Sequence, residues 1–138
     1  MCNNNNNEKG CSCFNETLST IVKLQRQGEC IDTTLTTCDR PFLGMNPTSA
    51  YNTRPVTLYT CPNSTLWTMP YTLDGNDGTS SVFRCEAVEG CCATFRVLAN
   101  NPDQTSIYPY VSTDSFFTIN LNCIGCLRCL PDTYISCI

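Results

Sequence analysis

Reactive chemistry in this chain rests on its thirteen cysteines, because the sequence contains no histidine. Without imidazole, a cysteine–histidine catalytic pair cannot form, and the commonest nitrogen ligand for metals is missing. Cysteine makes up about 9 % of the 138 residues, a proportion typical of disulfide-stabilised secreted proteins. An odd number leaves at least one thiol free or bonded to another molecule. Thiol oxidation and thiolate–metal binding are therefore the two chemistries to consider.

The densest group of cysteines is Cys123-Ile124-Gly125-Cys126-Leu127-Arg128-Cys129. Its C-x2-C-x2-C spacing matches three positions of a bacterial ferredoxin run, but the next cysteine, Cys137, lies too far along to be the fourth. A zinc or iron–sulfur site at Cys123, Cys126 and Cys129 remains the alternative, with Cys85 or Cys91 as a further ligand. The other cysteines are scattered, which favours cross-linking. We therefore predict no metal and no cofactor.

Composition gives little support to other functional classes. The 8 basic and 12 acidic residues give a net charge of −4, and no basic stripe is present to bind nucleic acid. No apolar run approaches the roughly 18 residues that a membrane span needs. No phosphate-binding loop and no nucleophile-elbow motif appears. We predict that the chain is not an enzyme and has neither a nucleic-acid nor a membrane partner.

The N-terminus predicts a flexible arm over residues 1–14. Met1-Cys2 and the five asparagines that follow cannot bury apolar surface, and they lack the basic and apolar regions of a signal peptide. Cys2, Cys11 and Cys13 lie on this arm, where mobile thiols could reach a neighbouring molecule. The sequence thus predicts synthesis in the cytoplasm. A secreted, monomeric disulfide-rich module is a further alternative, which would need a signal peptide that this sequence lacks.

Residues 15–138 are predicted to form one structural domain that begins with a helix over 15–28. Asn15 is placed to cap the helix, and Leu18, Ile21 and Val22 share one face at helical spacing. Gly28 is a natural stop.

A β-rich region is predicted over residues 40–138. Apolar and polar positions alternate at 54–60 and at 117–123, and turn residues such as Asp74-Gly75 separate such segments. We predict a mainly β fold, either a β-sandwich or a small barrel, with the one short N-terminal helix.

One hairpin can be assigned a register. Segments 82–87 and 91–98 flank a turn at 88–90, and a three-residue loop places Phe83 opposite Phe95. A two-residue loop would place Phe83 opposite Arg96. We favour the three-residue loop, because it keeps one face apolar.

The favoured register assigns the hairpin cysteines to faces. Cys85 lies opposite Ala93, and Cys85 and Cys91 point inward. Because successive residues of a strand point to opposite faces, Cys92 points to the other side. Cys92 is therefore a candidate intermolecular thiol, provided that no second sheet covers that face.

Several short segments form a recognisable set when they are taken in order along the chain. They are Pro41-Phe42-Leu43-Gly44, Asn52-Thr53-Arg54-Pro55, Leu58-Tyr59-Thr60, Phe83-Arg84 with Glu86 and Val88, Cys92-Ala93 with Arg96-Val97-Leu98, Thr118-Ile119-Asn120-Leu121, and Cys129-Leu130. This set resembles a known family, the cysteine-rich spore coat and exosporium proteins of the CotY, CotZ and ExsY type, and the resemblance covers roughly residues 16–131. The C-x2-C-x2-C cluster, the asparagine-rich arm and the Cys91-Cys92 pair depart from the family pattern.

The resemblance implies a structural, self-assembling protein made in the mother-cell cytoplasm and located in a spore surface layer. It implies partners in further copies of the chain, as hexameric units in a two-dimensional sheet, and in other coat or exosporium proteins. Disulfides would lock that sheet as the spore matures. Thiols that are reduced during synthesis and oxidised later would reconcile the cysteine content with cytoplasmic synthesis.

The cysteines then divide into two predicted groups. Non-covalent contacts must first bring the sulfurs close enough to bond, so mobile or outward thiols are the intermolecular candidates. These are Cys2, Cys11, Cys13, Cys92 and Cys137. The predicted intrachain or buried cysteines are Cys30, Cys38, Cys85, Cys91, Cys123, Cys126 and Cys129.

Overall fold

The computed structural model describes residues 11–27 and 51–136. These residues form a helix followed by eight strands and a 3-10 turn. The elements are α1 (Ser12–Gln27), β1 (Val56–Thr60), β2 (Thr65–Leu66), β3 (Met69–Leu73), β4 (Asn76–Ser80), β5 (Val82–Glu89), β6 (Cys92–Asn100), β7 (Tyr110–Asn120), the 3-10 turn Leu121–Cys123 and β8 (Ile124–Cys129). The predicted mainly β class with a short N-terminal helix is confirmed.

Helix α1 begins at Ser12, earlier than the predicted start at residue 15. The backbone N–H of Asn15 donates to the carbonyl of Cys11 at 2.8 Å, so residues 11–14 form the first turn. The side chain of Asn15 does not cap the helix but donates to the carbonyl of Gly90 at 2.5 Å. The last part of the predicted arm is therefore helical and fixed to the sheet. The predicted stop at Gly28, like residues 1–10, lies outside the described residues.

The predicted apolar face of α1 packs on the sheet. Leu18, Ile21 and Val22 are all buried, as the helical spacing predicts. Gln25 is buried beside them: its side-chain amide donates to the carbonyl of Cys85 at 2.7 Å, and its side-chain oxygen accepts from the backbone N–H of Arg54 at 3.1 Å. One amide thus ties the helix both to β5 and to the segment entering β1.

The main sheet is antiparallel and curls into a half-barrel. Across it the strands follow the order β8, β1, β5, β6 and β7, and the short β2 also pairs with β1. β2 and β5 share one side of β1, while β8 follows the length of the other side. Within the described part of the chain, β7 and β8 are therefore the two edges. β3 and β4 form a separate hairpin.

The β5–β6 register differs from both predicted registers. Phe83 lies opposite Val97 and Cys85 lies opposite Phe95, while a bulge after Cys85 shifts the ladder by one residue. The loop consists of Gly90, in the left-handed conformation at φ 59°, and Cys91. The predicted pairing is wrong because the turn lies at residues 90–91 and not at 88–90. The bulge then moves the ladder by one residue, which an alternating pattern cannot reveal. Both the predicted and the observed registers place apolar side chains against each other.

The predicted strand over 117–123 ends early. β7 stops at Asn120, whose side chain accepts a hydrogen bond from the backbone N–H of Asn122 at 2.9 Å. This side chain caps the 3-10 turn Leu121–Cys123, which leads the chain into β8. Cys123 therefore lies on a turn and not on an apolar strand face.

Three aromatic rings pack together in the hydrophobic core, which also includes the buried face of α1. Phe117 packs edge-on against Phe83 at 4.8 Å and stacks on Phe95 at 5.4 Å between ring centroids. Phe83 and Phe95 are fully buried. Such pairs contribute about 0.5–1.5 kcal/mol beyond the burial of their area.

Candidate cross-linking surface

One disulfide joins the start of the helix to a loop of the main sheet. Cys11, at the start of α1, is bonded to Cys91 in the β5–β6 loop, with the Cα atoms 5.7 Å apart. The prediction that Cys11 is an intermolecular thiol is therefore wrong, because the turn from Cys11 to Asn15 places its sulfur at the loop. Cys91 belongs to the group predicted to be intrachain or buried. With the Asn15–Gly90 hydrogen bond, the disulfide attaches the helix start to this loop.

Cys85 is the one free thiol among the described residues that lies in the core. Its side chain is fully buried on β5, and burial raises the pKa of this thiol from its ordinary value to about 12. The nearby carbonyl of Ala87 accepts its weak S–H bond at 3.8 Å. Because the thiolate is the reactive form, Cys85 is inert in the folded protein. Cys85 belongs to the predicted intrachain or buried group.

We expect native Cys85 to resist alkylation. At about pH 8, iodoacetamide should modify it at least about a hundredfold more slowly than exposed Cys92, because Cys85 is both inaccessible and protonated. Mass spectrometry of quenched time points measures the two rates. In urea both cysteines should react alike. Equal rates in the folded protein would contradict this burial.

Two exposed thiols flank the disulfide. Cys13 follows Cys11 by two residues on the first turn of α1, and Cys92 follows Cys91 at the start of β6. Both are free, and both belong to the group for which intermolecular disulfides are predicted. The disulfide therefore holds two free thiols on the surface around it.

Three more exposed thiols lie along the β8 edge. Cys123, on the 3-10 turn, and Cys126 and Cys129, on β8, are all free and exposed. The prediction that they are buried or paired within the chain is wrong for the described residues. The reason is that β8 is an edge strand, and only Ile124 in it is fully buried.

The geometry of β8 does not gather these three sulfurs into a metal site. Cys126 and Cys129 are three residues apart on a strand, so their side chains point to opposite faces and their Cα atoms lie about 10 Å apart. A tetrahedral site needs all its thiolates within about 2.3 Å of one ion. Among the described residues, no group of three potential ligands converges. On this extended strand, the ferredoxin-like spacing therefore does not bring the three sulfurs together around one metal ion.

Cys61 was not singled out by the sequence, yet it lies beside this edge. Its backbone N–H donates to the carbonyl of Cys123 at 3.0 Å, and its thiol lies 3.7 Å from the carbonyl of Asn122. It is half-buried at the end of β1. Only the β1–β8 pairing, which sequence alternation does not predict, brings Cys61 next to Cys123.

Cys129 borders a cavity of about 480 Å³ between α1 and the segments 51–54 and 129–132. Arg54 and Asp132 form an ion pair on its wall, including a 3.0 Å bond from Arg54 Nη2 to Asp132 Oδ2. The bond to Asp132 is the main cause that raises the pKa of Arg54, and Cys129 contributes. Cys129 thus lies in a different environment from Cys126, on the other face of the same strand.

A polar network joins β5, β6 and the segment that enters β1. Arg84, only 2 % exposed, donates to Glu86 at 2.7 Å and to the Thr53 hydroxyl at 3.0 Å. Arg96 donates to the other oxygen of Glu86 at 3.1 Å and lies over the ring of Phe116. Glu86 therefore joins β5 to β6, and Arg84 joins both to the entry of β1.

The side chain of Asn52 holds the chain that follows β8. Its amide donates to the carbonyl of Ile135 at 2.7 Å, and its oxygen accepts from the N–H of the same residue at 2.9 Å. These bonds copy those of a strand pair and fix the chain after β8. Cys2, Cys30, Cys38 and Cys137, which the prediction also assigned, lie outside the described residues.

Fold and surface together define a cysteine-rich β protein with an internally bonded core and free surface thiols, the chemistry of a cross-linkable structural protein. The chain belongs to the spore coat protein Z family, whose model matches residues 1–109. This confirms the resemblance found in the sequence. Neither the curated proteins nor the solved structures contain a match.

Family membership supports a structural role in the spore coat, a surface layer of the spore, and suggests a protein without catalytic activity. It also suggests contacts with other coat components or with further copies of the chain. The β8 cysteines lie beyond the matched residues. In the part of the chain that the structure describes, α1 is neither long nor apolar enough to cross a membrane.

Proposed function

We propose that this protein is a building unit of the spore surface layer that assembles with itself into a two-dimensional sheet of hexameric units, which intermolecular disulfides then lock. Other coat or exosporium proteins would bind the same sheet. The unit would be made with reduced thiols in the mother-cell cytoplasm and oxidised as the layer matures.

The observation that carries the proposal is the division of the described cysteines. One pair closes the fold and Cys85 is sealed in the core, while five free thiols are exposed. Intermolecular disulfides need exposed free thiols, and a sheet of repeated contacts needs several of them on each unit. Heterologous contacts between identical units generate rings, and thiols at the rims can join rings into a sheet.

Negative-stain electron microscopy of the purified full-length chain, with and without reductant, tests the proposal. We expect ordered sheets in both samples, because non-covalent contacts must position the sulfurs before they bond. Urea should disperse the reduced sheets, while oxidised sheets should persist in it. Small particles of monomer size in both samples would contradict the proposal.

A further inference from the structure

The outer edge of β8 carries exposed thiols and, among the described residues, pairs with no strand. We propose that two copies of this chain join antiparallel along their β8 edges, about a two-fold axis at Cys126, and that Cys126 forms a disulfide with Cys126 of the second copy. This inference rests on the proposed function and names one of its contacts.

The cysteine spacing is symmetric about Cys126. In an antiparallel pair of identical strands centred there, Cys126 lies opposite its own copy and Cys123 faces Cys129 of the second copy. The one charged residue of β8, Arg128, lies opposite Ile124 of the second copy, so like charges do not meet. A two-fold contact requires self-complementarity of this kind.

The backbone of β8 assigns Cys126 to the close type of pair. Cys126 lies opposite Tyr59 of β1, and Leu130 donates to the carbonyl of Pro55 at 2.8 Å. Hydrogen-bonded pairs alternate with non-hydrogen-bonded pairs, so Cys126, four residues from Leu130, also directs its N–H and C=O at β1. Leu127 and Cys129 direct theirs at the open edge.

Across the open edge, Cys126 and its copy therefore form a non-hydrogen-bonded pair. Such pairs have Cα atoms about 4.5 Å apart, inside the range of about 4.4–6.8 Å that a disulfide allows. The Cys123–Cys129 pairing is less regular, because a bulge at Gly125 interrupts the ladder before the 3-10 turn. Cys126 is thus the thiol that this contact places best.

The opposite edge of the sheet cannot be locked in the same way. β7 (Tyr110–Asn120) contains no cysteine and has the carboxylate of Asp114 at its centre. Edge strands of natural proteins commonly carry charges that discourage pairing. β8 combines the open ladder with the thiols, which selects it as the edge that meets a second copy.

The bond forms by oxidation of two thiols. Each Cys126 thiol loses one proton and one electron, and a low-molecular-weight disulfide such as oxidised glutathione accepts them and yields two glutathione thiols. The attack proceeds through a mixed disulfide at the first Cys126, which the thiolate of the second copy then displaces. Exposure of Cys126 gives the small oxidant access.

Mass spectrometry of isotope-mixed protein tests the proposal. Equal amounts of ¹⁴N and ¹⁵N full-length chain are mixed in urea with reductant, which disperses any sheets, and are refolded together. The mixture is oxidised with glutathione disulfide, its remaining free thiols are blocked, and it is digested with trypsin under non-reducing conditions. The peptide 97–128 contains Cys123 and Cys126 and no other cysteine. We expect this peptide linked to itself, in light–light, light–heavy and heavy–heavy forms near 1:2:1.

Matched variants identify the sulfur. The self-linked peptide should persist in Cys123→Ser and in Cys92→Ser, and should be lost in Cys126→Ser. Its absence from the wild type, or its survival in Cys126→Ser, would overturn the inference. Trp67 fluorescence during urea unfolding checks that each variant folds.

Electron microscopy of the same samples separates the two proposals. Sheets without the Cys126 link would overturn only the β8 contact and leave the proposed function standing. Linked dimers without sheets would support the contact and contradict the layer function.

Discussion

Removal of the Cys11–Cys91 disulfide is expected to lower the free energy of unfolding by about 2–5 kcal/mol. The bond joins residues 80 positions apart, so it removes much of the chain entropy of the unfolded state. It also anchors the first turn of α1, whose buried face covers the sheet through Leu18. The double variant Cys11→Ser/Cys91→Ser tests this without leaving an unpaired thiol at the site.

Urea unfolding followed by the fluorescence of Trp67, the single tryptophan, measures the loss. Cys13→Ser and Cys92→Ser are the matched controls, because each changes an exposed thiol next to the disulfide without breaking it. Both controls should unfold near the wild-type midpoint. A double variant as stable as these controls would show that the disulfide does not stabilise the fold.

The alkylation rate of Cys85 also measures the effect of removing the Cys11–Cys91 disulfide, at a single residue. Gln25 binds the backbone of Cys85 from the helix, so a helix that loses its anchor should open more often over this thiol. The double variant should therefore expose Cys85 to iodoacetamide faster than wild type does.

Periodicity in the sequence predicted the helix face and the mainly β class, because burial imposes helical spacing on Leu18, Ile21 and Val22 and alternation on the strands. These predictions depend only on which side of a helix or strand a residue occupies, and the periodicity of apolar residues indicates that side directly.

Predictions that needed three-dimensional pairing were less successful. The turn at residues 90–91 and a bulge after Cys85 gave the hairpin a register that was not predicted, and the partner of Cys11 was a loop residue far away in the chain. The exposure of Cys126 depended on β8 being an edge, and the position of Cys61 depended on which strand pairs with β1. Strand order and bulges are set by the whole fold, so a single sequence carries little local signal for them.

Replacement of Glu86 is expected to destabilise the fold strongly. Its carboxylate lies 2.7 Å from Nη1 of Arg84, which is 2 % exposed, and 3.1 Å from Nε of Arg96. Glu86→Ala removes the charge that both guanidinium groups share. Breaking a buried ion pair costs about 3–5 kcal/mol, and the partial exposure of Glu86, 22 %, favours about 3 kcal/mol.

Two further variants serve as controls. Glu86→Gln separates the effect of charge from that of packing, and Asp114→Ala compares the partly buried carboxylate with an exposed one. Glu86→Gln keeps the volume of the side chain but not its charge, so if charge dominates it should destabilise nearly as much as alanine in the same urea assay. Asp114→Ala removes a fully exposed carboxylate 3.9 Å from Arg96 and should leave the midpoint unchanged. A near-wild-type Glu86→Gln would show that packing, and not charge, holds β5 to β6. Packing, together with the hydrogen bonds from Arg84 to Thr53 and Asn52, would then hold these strands without the charge of Glu86.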